Sequence, residues 1–158
     1  MHSLTDVEVH ALTLRAEDIR ESVIKMLVEA GSGHTAGSLG MADIFTALYF
    51  RIIKHNPRHP EWAERDRVIL SNGHIAPILY ATMAHVGYFS ISELKTLRRF
   101  GSRLQGHPHK GTLPGIETSS GPLGSGLSQA IGMALMDRLE NHKPDRYFYC
   151  CMGDGEIN

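Results

Sequence analysis

Ten histidines stand out in the sequence, and three of them, His34, His74 and His107, directly follow a glycine. An imidazole titrates near neutrality, so it can donate to a phosphate oxygen, hydrogen-bond a hydroxyl or move a proton. A fourth candidate, Asp154, lies between Gly153 and Gly155, just after the apolar run 147–152. Its carboxylate offers hard oxygens to a hard cation such as Mg²⁺, and Gly155 would let a backbone amide approach a phosphate closely. The stretch "SSGPLGSGLS" leads into a helical pattern, and backbone amides at a helix start favour anions or polar ligand edges. Each feature has a plainer reading. Gly-Asp-Gly can be a bare turn, a histidine after a strand a local cap, Gly-His-Pro-His a solvated loop, and the glycine stretch a packing turn. No HExxH run or helical histidine pair beside an acid matches a zinc site.

The elements that would position these residues follow from local signals. Thr5-Asp6-Val7-Glu8 fits a capping box, and Leu12, Ala16, Ile19, Val23 and Leu27 recur at helical spacing until Gly31-Ser32-Gly33 breaks the pattern. "GSGHTAGSLG" reads as a glycine-rich turn that opens a buried helix, "MADIFTALYF". A polar, proline-bearing connector precedes a short strand at 68–70, and Ser71-Asn72-Gly73-His74 turns into a helix over 76–86. Ser90-Ile91-Ser92-Glu93 reads as a second capping box for a short helix that ends at Gly101. Residues 101–122 form a loop long enough to be functional or disordered. A helix from about Ser125 packs through Leu127, Ala130, Ile131, Ala134 and Leu135; Lys143-Pro144-Asp145 then turns the chain into a last strand. Strands separated by helices predict an α/β layer with a parallel sheet flanked by helices, in which ligands bind beyond the carboxyl ends of the strands.

Composition narrows the function classes. The 158 residues suit one domain, with 42% apolar and 21% charged residues and a formal charge of -1. That balance gives no basic field for nucleic acid and no polybasic membrane patch. No run approaches the length of a membrane span, and the first residues do not read as a secretory signal. Cys150 and Cys151 are adjacent, so in a strand they point to opposite faces and are read as reduced thiols in the cytoplasm.

Taken in order and at roughly their intervals, "SGHTAGSLG", "SNGH", "GHPHKGTLPGIETSSGPLGSGLS" and "GDGEIN" resemble the thiamine-diphosphate-binding N-terminal part of transketolase. The resemblance spans about residues 15–158 and is strongest to the N-terminal subunit of transketolases split over two polypeptides. It implies a single domain over 1–158, the N-terminal part of a diphosphate-binding domain that is incomplete on its C-terminal side, with the pyrimidine-binding domain absent. It also implies roles. Asp154 would bind the divalent cation (Mg²⁺ or Ca²⁺), Gly155 and His74 the cofactor's diphosphate, and the Gly121 and Leu123 backbone its aminopyrimidine. His34 and His107 would line the substrate channel as the catalytic histidines.

The implied reaction moves a two-carbon ketol unit between sugar phosphates, in the cytoplasm, within a dimer or heterotetramer. A C-terminal transketolase subunit would complete the site, so the chain alone is expected to be inactive. Thr35, Ser125 and His109 depart from the family's common residues, which touches the substrate's identity rather than the cofactor. Two other readings stay open. One is a subunit of a deoxyxylulose-phosphate synthase or 2-oxoacid dehydrogenase type; the other is a non-catalytic scaffold that kept the fold.

Overall fold

A computed structural model describes residues 3–140 and 146–157. The expected turn at 143–145 and Asn158 lie outside the described residues. The fold is helix-rich around a small parallel sheet. Helix α1 spans Asp6–Ala30, α2 Thr35–Gly40, α3 Ala42–Ala47, α4 Ala76–Val86 and α5 Ser125–Glu140. Strands β1, Arg67–Leu70, and β2, Phe148–Cys151, pair in parallel, with Arg67 opposite Phe148 and Leu70 opposite Cys151.

The first helix forms as its sequence dictates. The Thr5 hydroxyl accepts from the Glu8 amide while the Glu8 carboxylate accepts from the Thr5 amide at 2.9 Å. The helix stops at Gly31, whose φ of 62° is left-handed. Ala16, Ile19, Val23, Met26 and Leu27 bury one face of it. That face meets α3 and the almost wholly buried α4, and Val68 and Leu70 join the same core.

Four local expectations need correction. The glycine-rich turn is shorter than "GSGHTAGSLG" suggests, because residues 35–40 already form α2. The buried Ser38 hydroxyl bonds back to the His34 carbonyl at 2.9 Å, which satisfies its polar group inside the core. The helical run is also interrupted at Met41 and widens into a π turn over Leu48–Ile52. The second capping box is half formed. Ser90 accepts from Ser92, but Glu93 is drawn away by a two-point bond to Arg103 at 2.8 Å, and only a 3₁₀ turn over Ile91–Thr96 results. Finally, α5 buries Gly126, Ala130 and Asp137, whereas Ile131 and Leu135 are half exposed. Close contact along the small and acidic stripe turns the large apolar side chains outward.

The long loop is well anchored. Leu104, Leu113 and Ile116 plug into the core, and the Gln105 carbonyl accepts from the Tyr80 hydroxyl at 3.0 Å. Glu117 forms a buried ion pair with Arg65, just ahead of β1, and approaches Arg67 at 3.7 Å. Asp66 accepts from the Lys54 amide at 2.8 Å and the Tyr147 amide at 2.7 Å, tying the connector to the start of β2. No helix among the described residues is long and apolar enough to cross a membrane.

Candidate functional site

The chain turns immediately after each strand. After β1, Ser71 and Asn72 are buried and lead into a 3₁₀ turn over Gly73–Ile75 that carries His74. After β2, Gly153 leads into a 3₁₀ turn over Asp154–Glu156. Both turns therefore stand at the carboxyl end of the same parallel pair, where open sheets bind ligands.

His34 is the residue that precedes α2, and its ring centroid lies 5.1 Å from that of His74. His107 comes from the anchored loop. A Cβ built on Gly73 would lie 2.9 Å from the His107 ring and 2.5 Å from the Ser120 Cβ. Only glycine lets the loop settle so closely over this turn. The Ser120 hydroxyl bonds the Leu70 carbonyl, and its amide donates to the Pro108 carbonyl at 3.0 Å, which fastens the loop just after His107 to the end of β1. Three histidines from three separate segments are thus gathered together.

The second turn is joined to this cluster by Glu156. Its carboxylate accepts from the Ser71 hydroxyl at 2.5 Å, from the Gly124 amide at 2.9 Å and from the Gly153 amide. Ser71 in turn accepts from the Gly126 amide at 3.1 Å. A Cβ on Gly126 would fall 2.4 Å from the Ser71 Cβ, so this contact also needs glycine. Burial works to raise the Glu156 pKa, but the bonds from Ser71, Gly124 and Gly153, with the charge of His74, outweigh it and hold the group ionised below the usual range.

Asp154 is exposed and takes no hydrogen bond from another described side chain. Space is open within 4 Å of where a Cβ would stand on Gly121 or Gly155, and Leu123 is 62% exposed. In the turn after β1 the Asn72 Oδ1 is buried without a hydrogen-bond partner among the described residues. An orphaned acceptor, a free carboxylate and two open glycine backbones suit a ligand that carries donors, phosphate and a cation.

His107 titrates below the ordinary imidazole range, first because its ring is partly desolvated, then because of the Arg98 guanidinium and of His34 and His74. Arg98 is held in place by an unusual left-handed backbone, φ 61°, with its guanidinium against Gly106 and bonded to Ser32 at 3.3 Å. His55 and His85, elsewhere in the fold, are also pushed down, chiefly by burial. All three bind protons less readily when folded than when unfolded. Folding stability is therefore expected to fall as pH drops below about 6.5, because the unfolded chain takes up protons first. Thermal melts between about pH 7.5 and 5.5 check this, and a flat or rising midpoint would contradict it.

The comparisons with known proteins bear on this site. Residues 12–158 match the family described as "Transketolase, thiamine diphosphate binding domain". The chain belongs to that family. It is 43% identical over 149 residues to Transketolase 1 of Vibrio parahaemolyticus, covering 89% of this chain and 22% of that relative. The transketolase of Leishmania mexicana superposes with a TM-score of 0.86 at 32% identity, over 99% of this chain and 24% of its own. A Pichia stipitis transketolase in complex with sedoheptulose-7-phosphate superposes at 0.87 and 34%, over 92% and 23%. The chain thus spans about a fifth of the length of the curated relatives it matches.

Membership of the transketolase thiamine-diphosphate-binding family decides among the enzyme families left open by the sequence. Within it, this chain carries site features that local patterns did not reveal. Ser71, Ser120, Arg98 and Glu156 have no special spacing; their partners lie tens of positions away and meet them only in the fold. Of the departing residues, Ser125 spends its hydroxyl on the Pro122 carbonyl at 2.8 Å, and Thr35 begins α2. His109 is exposed on the loop.

Proposed function

We propose that this chain is the N-terminal, cofactor-binding portion of a transketolase-like enzyme that transfers a two-carbon ketol unit between sugar phosphates. The observation that carries the reading is the cluster of His34, His74 and His107 at the strand ends that also bear the Gly-Asp-Gly turn. The sedoheptulose-7-phosphate in the Pichia stipitis complex suggests the substrate class.

In this reading Asp154 holds Mg²⁺ or Ca²⁺, with the remaining oxygens coming from phosphate, water and further protein. Among the described residues no group of three or more acids, histidines or cysteines could hold a metal by itself. The Gly155 amide and His74 hold the diphosphate, and the backbone at Gly121 and Leu123 meets the aminopyrimidine. When bound, thiamine diphosphate supplies a ring that stabilises a carbanion. His34 and His107 hydrogen-bond the sugar hydroxyls and pass protons at their ring nitrogens. The lowered pKa of His107 keeps that ring neutral near pH 7, able both to accept and to donate.

Activity requires a pyrimidine-binding polypeptide, as a C-terminal transketolase subunit in a heterotetramer or as more protein within a dimer. The exposed stripe of Ile131, Leu135 and Leu139 on α5 supports such a neighbour, since apolar stripes of this kind are normally covered. The setting is cytoplasmic sugar-phosphate metabolism, the pentose phosphate pathway. The test is ketol transfer by the purified chain with thiamine diphosphate and Mg²⁺, with and without a candidate pyrimidine-binding polypeptide. Transfer is expected only in its presence; transfer by the chain alone would refute the partner requirement, and none with any partner would favour a scaffold.

A further inference from the structure

We infer that Glu156 is a positioning residue that fastens the Gly-Asp-Gly turn to the glycine loop ahead of α5, so that two walls of the cofactor site are joined before a ligand arrives. This rests on the functional reading above. A carboxylate can only accept, and each Glu156 oxygen is engaged. Oε1 takes the Ser71 hydroxyl and the Gly124 amide; Oε2 takes the Gly153 amide. These donors come from the turn after β1, the loop before α5 and the turn after β2. Ser71 extends the clasp by accepting from the Gly126 amide.

The clasp changes what the glycine loop offers a ligand. The Gly124 and Gly126 amides at the start of α5 are already satisfied within the protein, the first by the Glu156 carboxylate, placed where the helix dipole favours a negative charge, and the second by the Ser71 hydroxyl. What remains open is the Asp154 carboxylate, the backbone at Gly121 and Gly155, and the unpartnered Asn72 Oδ1. The Glu156 carboxylate therefore hydrogen-bonds none of the groups proposed to hold the cofactor. It sets their spacing, because Asp154 and Gly155 sit on the turn that it closes.

Glutamine matches glutamate in shape but replaces one acceptor by an NH₂ group. That donor must face either the Gly153 amide or the pair formed by Ser71 and Gly124, so one side of the clasp opens. In the enzyme assembled with its pyrimidine-binding polypeptide, Glu156→Gln is expected to raise the thiamine diphosphate dissociation constant, measured by calorimetry with Mg²⁺, by about 10- to 100-fold. In the chain without ligand, the Gly124 and Gly153 amides are expected to exchange faster with solvent. Ser71→Ala, which leaves the carboxylate still holding the Gly124 and Gly153 amides and keeps a small buried residue, is expected to raise the constant less. Combined with Glu156→Gln it should add little, because the two act through one contact. Should Glu156→Gln fail to fold, Ser71→Ala decides alone. An unchanged dissociation constant in a folded variant overturns the inference, including the case where only the melting temperature falls. Wild-type enzyme that binds no thiamine diphosphate would overturn the functional reading itself, which is distinguishable from tight binding by both wild type and variant.

Discussion

Replacing Asp154 by alanine, in the enzyme assembled with its pyrimidine-binding polypeptide, is expected to weaken thiamine diphosphate binding more than about a hundred-fold and to remove ketol transfer. Loss of a group that merely orients a metal ligand already costs about 10- to 100-fold, and Asp154 is proposed as the ligand itself. A cation on this turn would bridge protein and diphosphate, so both lose affinity together. The substitution should leave the fold intact, because the side chain is exposed and the turn is held by the neighbouring Glu156 instead. Calorimetric titration with and without Mg²⁺ checks this. A variant that binds the cofactor as tightly as wild type, with the same Mg²⁺ dependence, would remove Asp154 from the cation site.

Glu117→Ala is expected to act on stability. Arg65 and Glu117 are 8% and 11% exposed at their side chains, and Arg67 lies nearby. Removing the acid leaves two arginines without their shared counter-ion, one of them buried. Breaking a buried pair this way typically costs about 3–5 kcal/mol, far more than the pair contributes against an apolar replacement. For a chain of this size that lowers the melting temperature by roughly 6 to 20 °C. Arg65 keeps bonds to the Pro60 and Asp66 carbonyls, which points to the lower half of the range. The loop that carries His107 should also loosen, read as faster amide exchange at Leu113 and Ile116. A midpoint within about 2 °C of wild type would show that the pair is solvated in solution.

Much of the scaffold was legible because its signals are local. Thr5 and Glu8 meet across a single turn, and α4 appears where an unbroken apolar run follows a strand and a Gly-His turn. The histidines drew notice because each follows a glycine, and Gly73 shows why one such glycine matters: it makes room for the loop that brings His107. What stayed hidden depends on residues far apart in the chain. Glu156 and Ser71 are separated by 85 positions, and Arg65 and Glu117 by 52, so no window of sequence contains both partners. Glu93 shows the reverse failure. Its capping signal was sound, but a tertiary partner, Arg103, competes for the same carboxylate and wins. On α5 the expected packing face holds at Ala130, which is buried, but not at Ile131 and Leu135, which are half exposed, while close approach to the turn after β1 also buries Gly126.

The most direct measurement follows the histidine ring signals by NMR as thiamine diphosphate and Mg²⁺ are added to the isotopically labelled chain in its assembled enzyme. His34, His74 and His107 are expected to shift together and saturate with one dissociation constant, while His55 and His85, bonded elsewhere in the fold, stay in place. Signals of the three clustered histidines that remain unmoved at saturating cofactor would contradict a shared site.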